Sequence, residues 1–338
     1  MSRYLVTGAT GFLGGHLTAS LREHGHEVVA LCRQAGREEE ALRAQGAAVA
    51  RGDVLDAQSV SAAAAGCDGL FHCAGKVSRR PEDAEELYRL HVDGTKITLD
   101  ACRAAGVRRA VIASTSGVVA VSKDAREVRD EMAPAPMEII AAWPYYRSKL
   151  YAERAALDRS QQGFEVVSVN PSLLLGPGDL NGSSTGDVVQ FLEQRVPMIP
   201  AGGISFVDVR DAAEAMRLAM EKGRAGERYL VGAMNLTVQA FLERLERISG
   251  VPAPKVKLPG SVLLAGLGAE LMGRAAKRMN MKAPSDRVTV EMGQHFWYVD
   301  TQKARAELGW TPRDAGETLA DTVDDLRRRG VVWPRATR

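Results

Sequence analysis

The chain opens on Val6-Thr7-Gly8-Ala9-Thr10-Gly11-Phe12-Leu13-Gly14, three glycines at a three-residue spacing behind a β-branched run and ahead of a helical pattern. Glycines at such a junction let the backbone leave a strand sharply and approach a ligand closely, and the open N–H groups of the helix that follows favour a pyrophosphate. A plain strand-to-helix turn uses the same residues, so context decides. Here the β-branched runs Tyr4-Leu5-Val6, Glu27 to Leu31, Ala48-Val49-Ala50, Gly69-Leu70-Phe71, Ala110 to Ala113 and Glu165 to Val169 alternate with helical patterns. Strands separated in this way imply right-handed βαβ units and an α/β, doubly wound parallel sheet. A dinucleotide is then expected at Gly8, Thr10, Gly11, Phe12, Leu13 and Gly14.

Helices are expected over Leu87 to Ala105 and Tyr145 to Gln161, covering the sheet. After Pro171 the texture changes to loop clusters, Gly176-Pro177-Gly178 and Asn181-Gly182-Ser183-Ser184, and then to mostly helical segments. The expected division is a Rossmann-type lobe over 1–171, with 204–232 returning to it through a helix begun by Phe206 to Ala212. A smaller, mostly helical substrate lobe, 172–203 and 233–338, should cover the strand ends where open α/β sheets bind ligands. The apolar stretch Ser261 to Gly273 is shorter than the roughly 20 residues of a membrane span and reads as a buried helix.

The formal charge of +2 is too small to imply a nucleic-acid or anionic-membrane partner. Cys32, Cys67, Cys73 and Cys102 lack the paired spacing of a metal site or disulfide framework, so reduced thiols and no metal are expected. Met1-Ser2-Arg3 runs straight into a strand pattern rather than a leader, which with the thiols points to the cytoplasm.

The end of the second strand normally reads the adenosine ribose, with a carboxylate for NAD or an arginine for NADP. Leu31-Cys32-Arg33-Gln34-Ala35-Gly36-Arg37 contains no carboxylate. Arg33, helped by Arg37, is therefore expected on a 2′-phosphate, with NADP(H) preferred and NAD(H) remaining open. Asp53, followed by Val54, ends the third strand, where it can accept the adenine amino group or cap the next helix.

Tyr145 and Lys149 stand four residues apart in Trp143-Pro144-Tyr145-Tyr146-Arg147-Ser148-Lys149. On a helix they share a face with Cβ atoms roughly 5–6 Å apart. An ammonium there is expected to favour the phenolate and lower a pKa otherwise near about 10, giving an acid or base for a carbonyl oxygen as hydride moves. Lys149 can also reach the nicotinamide ribose. The hydroxyls of Ser114-Thr115-Ser116 end another strand at the same sheet edge, where one can bond the substrate oxygen as charge develops and another serves the local turn.

Gly8-x-x-Gly11-x-x-Gly14, Gly52-Asp53, His72-Cys73-Ala74-Gly75, Ser114-Thr115, Tyr145-x-x-x-Lys149 and Asn170-Pro171-Ser172-x-x-x-Gly176-Pro177-Gly178 follow one another in this order. Along essentially its whole length the chain resembles extended short-chain dehydrogenases/reductases. It is most similar to the dihydroflavonol-4-reductase-like branch and its bacterial members labelled hopanoid-associated sugar epimerase; Gly226 to Gly232 and Ala304 to Trp310 strengthen that placement. The resemblance implies that Thr115, Tyr145 and Lys149 are catalytic and that Ala74, Gly75 and Pro171 lie along the cofactor. It also implies a homodimer formed through the two long helices. One departure stands out: where the family has Asn-Val-x-Gly-Thr, this chain has His91-Val92-Asp93-Gly94-Thr95. His91 either replaces the asparagine's hydrogen bond or titrates near neutrality and adds a proton path.

Two enzymes share such a site. A reductase consumes NADPH, whereas a nucleotide-sugar epimerase or dehydratase keeps NAD bound and would need cations such as Lys76 and Arg195 for a diphosphate. A non-catalytic NADP-binding regulator is disfavoured by the intact Thr115, Tyr145 and Lys149. Arg33 and the apolar Val262 to Leu267 and Leu271-Met272 favour an aldehyde or ketone reductase, or alcohol dehydrogenase, with Tyr145 as proton donor.

Overall fold

A computed structural model describes residues 1–34, 36–258 and 287–333. Its centre is a seven-stranded sheet, all parallel, in the order β3-β2-β1-β4-β5-β6-β9. The strands are β1 (Arg3–Thr7), β2 (Glu27–Cys32), β3 (Ala48–Arg51), β4 (Gly69–His72), β5 (Arg109–Ala113), β6 (Glu165–Pro171) and β9 (Arg228–Val231). All six strands expected in the first half are present.

Both faces of a parallel sheet must be covered, which explains why these strands read as continuous apolar runs. Tyr4 and Val6 of β1 point into a cluster with Leu13, Leu17 and Leu21 of α1 (Phe12–Glu23) and with Ala212 to Met220 of α9 (Val209–Lys222). Leu5, between them, joins the opposite cluster with Val60, Leu99, Cys102 and Ala156. These come from α3 (Ala57–Ala64), α5 (Gly94–Ala104) and α7 (Pro144–Leu157). The strand order reverses between β1 and β4, and the crevice beyond their C-terminal ends is where ligands of open α/β sheets bind.

The expected helix over Leu87 to Ala105 is built in three pieces: α4 (Ala84–Tyr88), a π turn Arg89–Asp93 and α5. The π turn carries His91 inward. Phe206 and Val207, expected to open a helix, lie instead in β8 (Gly203–Asp208), and Asp208 caps α9 by accepting from the Arg210 N–H. Helix α9 packs against α1, and β9 adds to the main sheet beside β6. The second half is also richer in strands than its sequence texture suggests. β7 (Leu173–Leu175), β8 and β10 (Met234–Thr237) form a second, three-stranded sheet, which the sequence did not announce because runs as short as Leu173-Leu174-Leu175 carry no period that separates strand from helix.

Among the described residues no helix is long and apolar enough to cross a membrane. The four cysteines are free. The apolar stretch 261–273, to which the reductase expectation appealed, lies outside the described residues.

Candidate active site

The glycine turn packs against the exit of β4. Gly8 adopts φ +69, and a Cβ on it would lie 2.6 Å from the Ala74 N and Cys73 C backbone atoms. A Cβ on Gly14 would fall 2.1 Å from the Gly8 carbonyl. Only glycine lets these segments touch, and the Gly11 N–H donates to the Gly8 carbonyl at 2.9 Å to close the turn. Helix α1 then starts at Phe12 without a side-chain cap, leaving its first N–H groups open to an anion. Thr10 is exposed, Phe12 half-buried, and Leu13 buried against the cavity described below. Cys73 and Ala74 form the facing wall, and Gly75 stands beside the His91 ring. This cradle fits a dinucleotide pyrophosphate.

Arg33 is exposed one residue beyond β2, and Arg37, also exposed, begins α2 (Arg37–Ala44). The carboxylates missing from 31–37 arrive on α2, but Glu39 is engaged by Arg43 at 2.9 Å and by Arg51 at the end of β3. Asp53 accepts from the Leu55 N–H at 2.9 Å, forming a local turn, while α3 is capped by Asp56 instead. Val54 is 6% exposed and belongs to the core beneath that turn.

Thr115, Tyr145 and Pro171 meet on one cavity of about 360 Å³ beyond the C-terminal ends of β5 and β6. Thr115 leaves β5 by a short 3₁₀ turn, where its Oγ1 accepts from the Gly117 N–H at 3.4 Å; the Ser114 hydroxyl is buried with no hydrogen-bond partner among the described residues. Tyr145 sits at the start of α7, where Pro144 occupies the first turn. Lys149 lies one turn further, half-buried, and its Nζ donates to the Ala113 carbonyl at 2.6 Å.

The electrostatics differ from the sequence expectation at Tyr145. Burial strips water from the phenolate and pushes the pKa up, with Tyr146 adding to the effect. Lys149 faces the β5 carbonyl, and burial pushes its own pKa down to about 8 against the opposing influence of Glu153 and Cys73. Tyr145 is thus a protonated phenol at neutral pH that holds its proton more tightly than a free phenol does.

His91 is tied at both ring nitrogens. The Lys76 N–H donates to Nε2 at 3.1 Å, so Nδ1 carries the proton and donates to the Ser148 Oγ at 2.8 Å; that hydroxyl donates to the Tyr145 carbonyl at 2.8 Å. Burial, then the Lys149 charge, push the His91 pKa down to about 2. The arrangement ties the π turn to α7; a neutral imidazole with both nitrogens occupied does not titrate near pH 7.

Sequence reasoning missed most of the cavity wall. Trp297 stacks on Trp143 at 5.6 Å and tilts against Tyr146 at 5.0 Å, forming an aromatic side that Gly117 leaves room for. Leu174, Ile204, Phe241 and Leu242 add further apolar surface to the lining. The charged groups among its described lining residues are Arg79 and Asp187, paired at 2.8 Å. Lys76 is held by Glu86 at 2.6 Å and Asp83 at 3.4 Å, and Arg195 pairs with Glu193; neither lines the cavity.

Residues 4–232 match the NAD dependent epimerase/dehydratase family. The chain is 35% identical over 335 residues to a putative dihydroflavonol 4-reductase of Synechocystis, covering 97% of this chain and 96% of that protein. It is 33% identical over 337 residues to sterol demethylase protein B of Methylococcus capsulatus, covering 97% and 99%. The crystal structure of gox2253, 29% identical, superposes with a TM-score of 0.83 over 98% of this chain and 99% of that one. With a Rossmann-like sheet and a cradle for a nicotinamide dinucleotide, the chain belongs to the NAD-dependent epimerase/dehydratase family of extended short-chain dehydrogenases/reductases, and it is an NAD(P)-dependent oxidoreductase of that superfamily.

Proposed function

We propose that the enzyme reduces an aldehyde or ketone carbonyl, or oxidises the corresponding alcohol, with NADP(H) as the preferred dinucleotide. The bound dinucleotide supplies or accepts the hydride. Tyr145 gives its proton to the carbonyl oxygen as charge builds there, and the Thr115 hydroxyl orients that oxygen. The nearby Lys149 ammonium favours the phenolate left behind and holds the ribose. Gly8, Gly11, Gly14, Ala74 and Gly75 cradle the pyrophosphate, and Arg33 meets the 2′-phosphate. Residues 1–171 with 204–232 form the dinucleotide lobe, and the rest of the chain forms the substrate lobe.

The observation that carries this reading is the cavity itself. Thr115 and Tyr145 face a space walled by aromatic and aliphatic side chains, and the Arg79–Asp187 pair cancels its own charge. Lys76 and Arg195, the cations considered for a sugar diphosphate, are committed elsewhere. The dihydroflavonol 4-reductase name of the cyanobacterial relative supports the same direction. The test is NADPH consumption against a panel of aldehydes, ketones and UDP-sugars, with the cofactor of the purified protein identified. Consumption with a carbonyl compound supports the reading; tightly bound NAD and interconversion of a UDP-sugar would replace it with an epimerase.

A further inference from the structure

Glu153 is completely buried, and the chemistry above does not use it. Burying a carboxylate costs several kcal/mol unless its surroundings compensate, and an apolar residue could fix α7 to the sheet equally well. The carboxylate's contacts lead toward the site. Its Oε2 accepts from the Asn170 Nδ2, and the same Nδ2 donates to the Thr115 carbonyl at 3.2 Å. The Ser168 hydroxyl lies 3.1 Å from Oε2 and 2.8 Å from the Asn170 Oδ1, so its one proton is shared between them. Ser168 and Asn170 are two apart on β6 and face the same way. On the far side Arg228 of β9 lies 3.1 Å from Oε1, at ion-pair distance but without hydrogen-bond alignment.

Tyr145, Lys149 and Glu153 recur every four residues and therefore share one face of α7. We propose that Glu153 is a positioning residue of this site, holding Thr115 in place through Asn170 and standing one helical turn from Lys149 on the same face of α7. The inference rests on Thr115, Tyr145 and Lys149 being the reacting groups.

The groups facing Lys149 are Cys73 and His72 at the end of β4, His91 on the π turn, and Tyr145 and Glu153 on its own helix. Burial keeps His72 and His91 neutral and the Cys73 thiol protonated, pushed up to about 12. Glu153, itself faced by Arg228, is left as the carboxylate that offsets the burial of Lys149. Without that charge the ammonium loses its proton at lower pH.

The experiment uses the full-length protein and follows NADPH binding by fluorescence against pH, together with kcat on the best carbonyl substrate. An ammonium beside an anionic dinucleotide strengthens binding, so affinity should fall as pH rises through about 8 in the wild type. In Glu153→Gln the midpoint should move lower by about one pH unit, and kcat should fall about 10- to 100-fold while KM holds. Glu153→Asp, which keeps the charge, should return the midpoint. Asn170→Ser removes the amide that bridges Glu153 and Thr115 while keeping the Glu153 carboxylate; it should lower kcat and leave the midpoint in place.

Wild-type kcat and midpoint in folded Glu153→Gln, or wild-type kcat in Asn170→Ser, would overturn the proposal. If Glu153→Gln does not fold, Asn170→Ser decides the matter. Failure of the carbonyl-reductase reading looks different: the wild type is inert toward every carbonyl, or Tyr145→Phe keeps its rate. The binding midpoint needs no turnover and still tests Glu153 in that event.

Discussion

Replacing Gly8 with alanine tests whether the glycine turn is a cofactor cradle or only a convenient bend. The residue sits at φ +69, where any other L-residue costs about 1–2 kcal/mol. The added Cβ would stand 2.6 Å from the Ala74 N and Cys73 C atoms. Reaching an ordinary contact of 3.4 Å requires the turn and the β4 exit to part by about 0.8 Å (3.4 minus 2.6). Both neighbours are backbone, so no flexible side chain can retreat. Misplacement of about 1 Å in a bound geometry costs about 100-fold, so NADPH affinity should fall by that factor, about 2.7 kcal/mol.

Gly25→Ala is the matched control. Its φ of +78 imposes the same backbone cost, yet nothing lies within 4 Å of the new Cβ. It should lower the melting temperature slightly and leave NADPH binding alone. Fluorescence titration and thermal melts on both variants separate backbone strain from lost cofactor contact. NADPH binding at wild-type affinity in Gly8→Ala would refute the reasoning.

Much of this geometry was legible in the sequence. The parallel strands show because most are short apolar runs buried on both faces, and Tyr145 with Lys149 shows because helical spacing converts directly into a shared face. What stayed hidden depends on residues distant in the chain. Trp297 reaches the cavity wall from beyond α10 (Val238–Ser249), and no local pattern announces its partner Trp143. The commitments of Lys76 to Glu86 and of Arg79 to Asp187 depend on how loops fold back. Glu153 offered a signal, four residues beyond Lys149 on α7, whereas its partner Asn170 arrives on strand β6. The Tyr145 pKa was misjudged because spacing reports a neighbouring charge and not the loss of water, and burial, with Tyr146 beside it, pushes the pKa up.

Two further outcomes follow from particular contacts. His91→Asn should leave the pH–rate profile unmoved between pH 5 and 9, because the imidazole it replaces is held neutral with a pKa pushed down to about 2; a lost or shifted limb near neutrality would restore a proton path. Arg33→Ala should lower kcat/KM for NADPH by about 10- to 100-fold, the worth of a charge-assisted hydrogen bond of about 1.5–3 kcal/mol, and leave NADH unaffected; an equal effect on both cofactors would remove Arg33 from the 2′-phosphate.

The central claim is that Tyr145 delivers the proton that completes a hydride transfer, and Tyr145→Phe measures it most directly. The substitution removes one hydroxyl and keeps the ring that packs against Tyr146 at 5.0 Å and His91 at 5.8 Å. NADPH-dependent turnover of the best carbonyl substrate should fall about 10²- to 10⁴-fold, with NADPH binding nearly unchanged. Full retention of turnover would contradict the account.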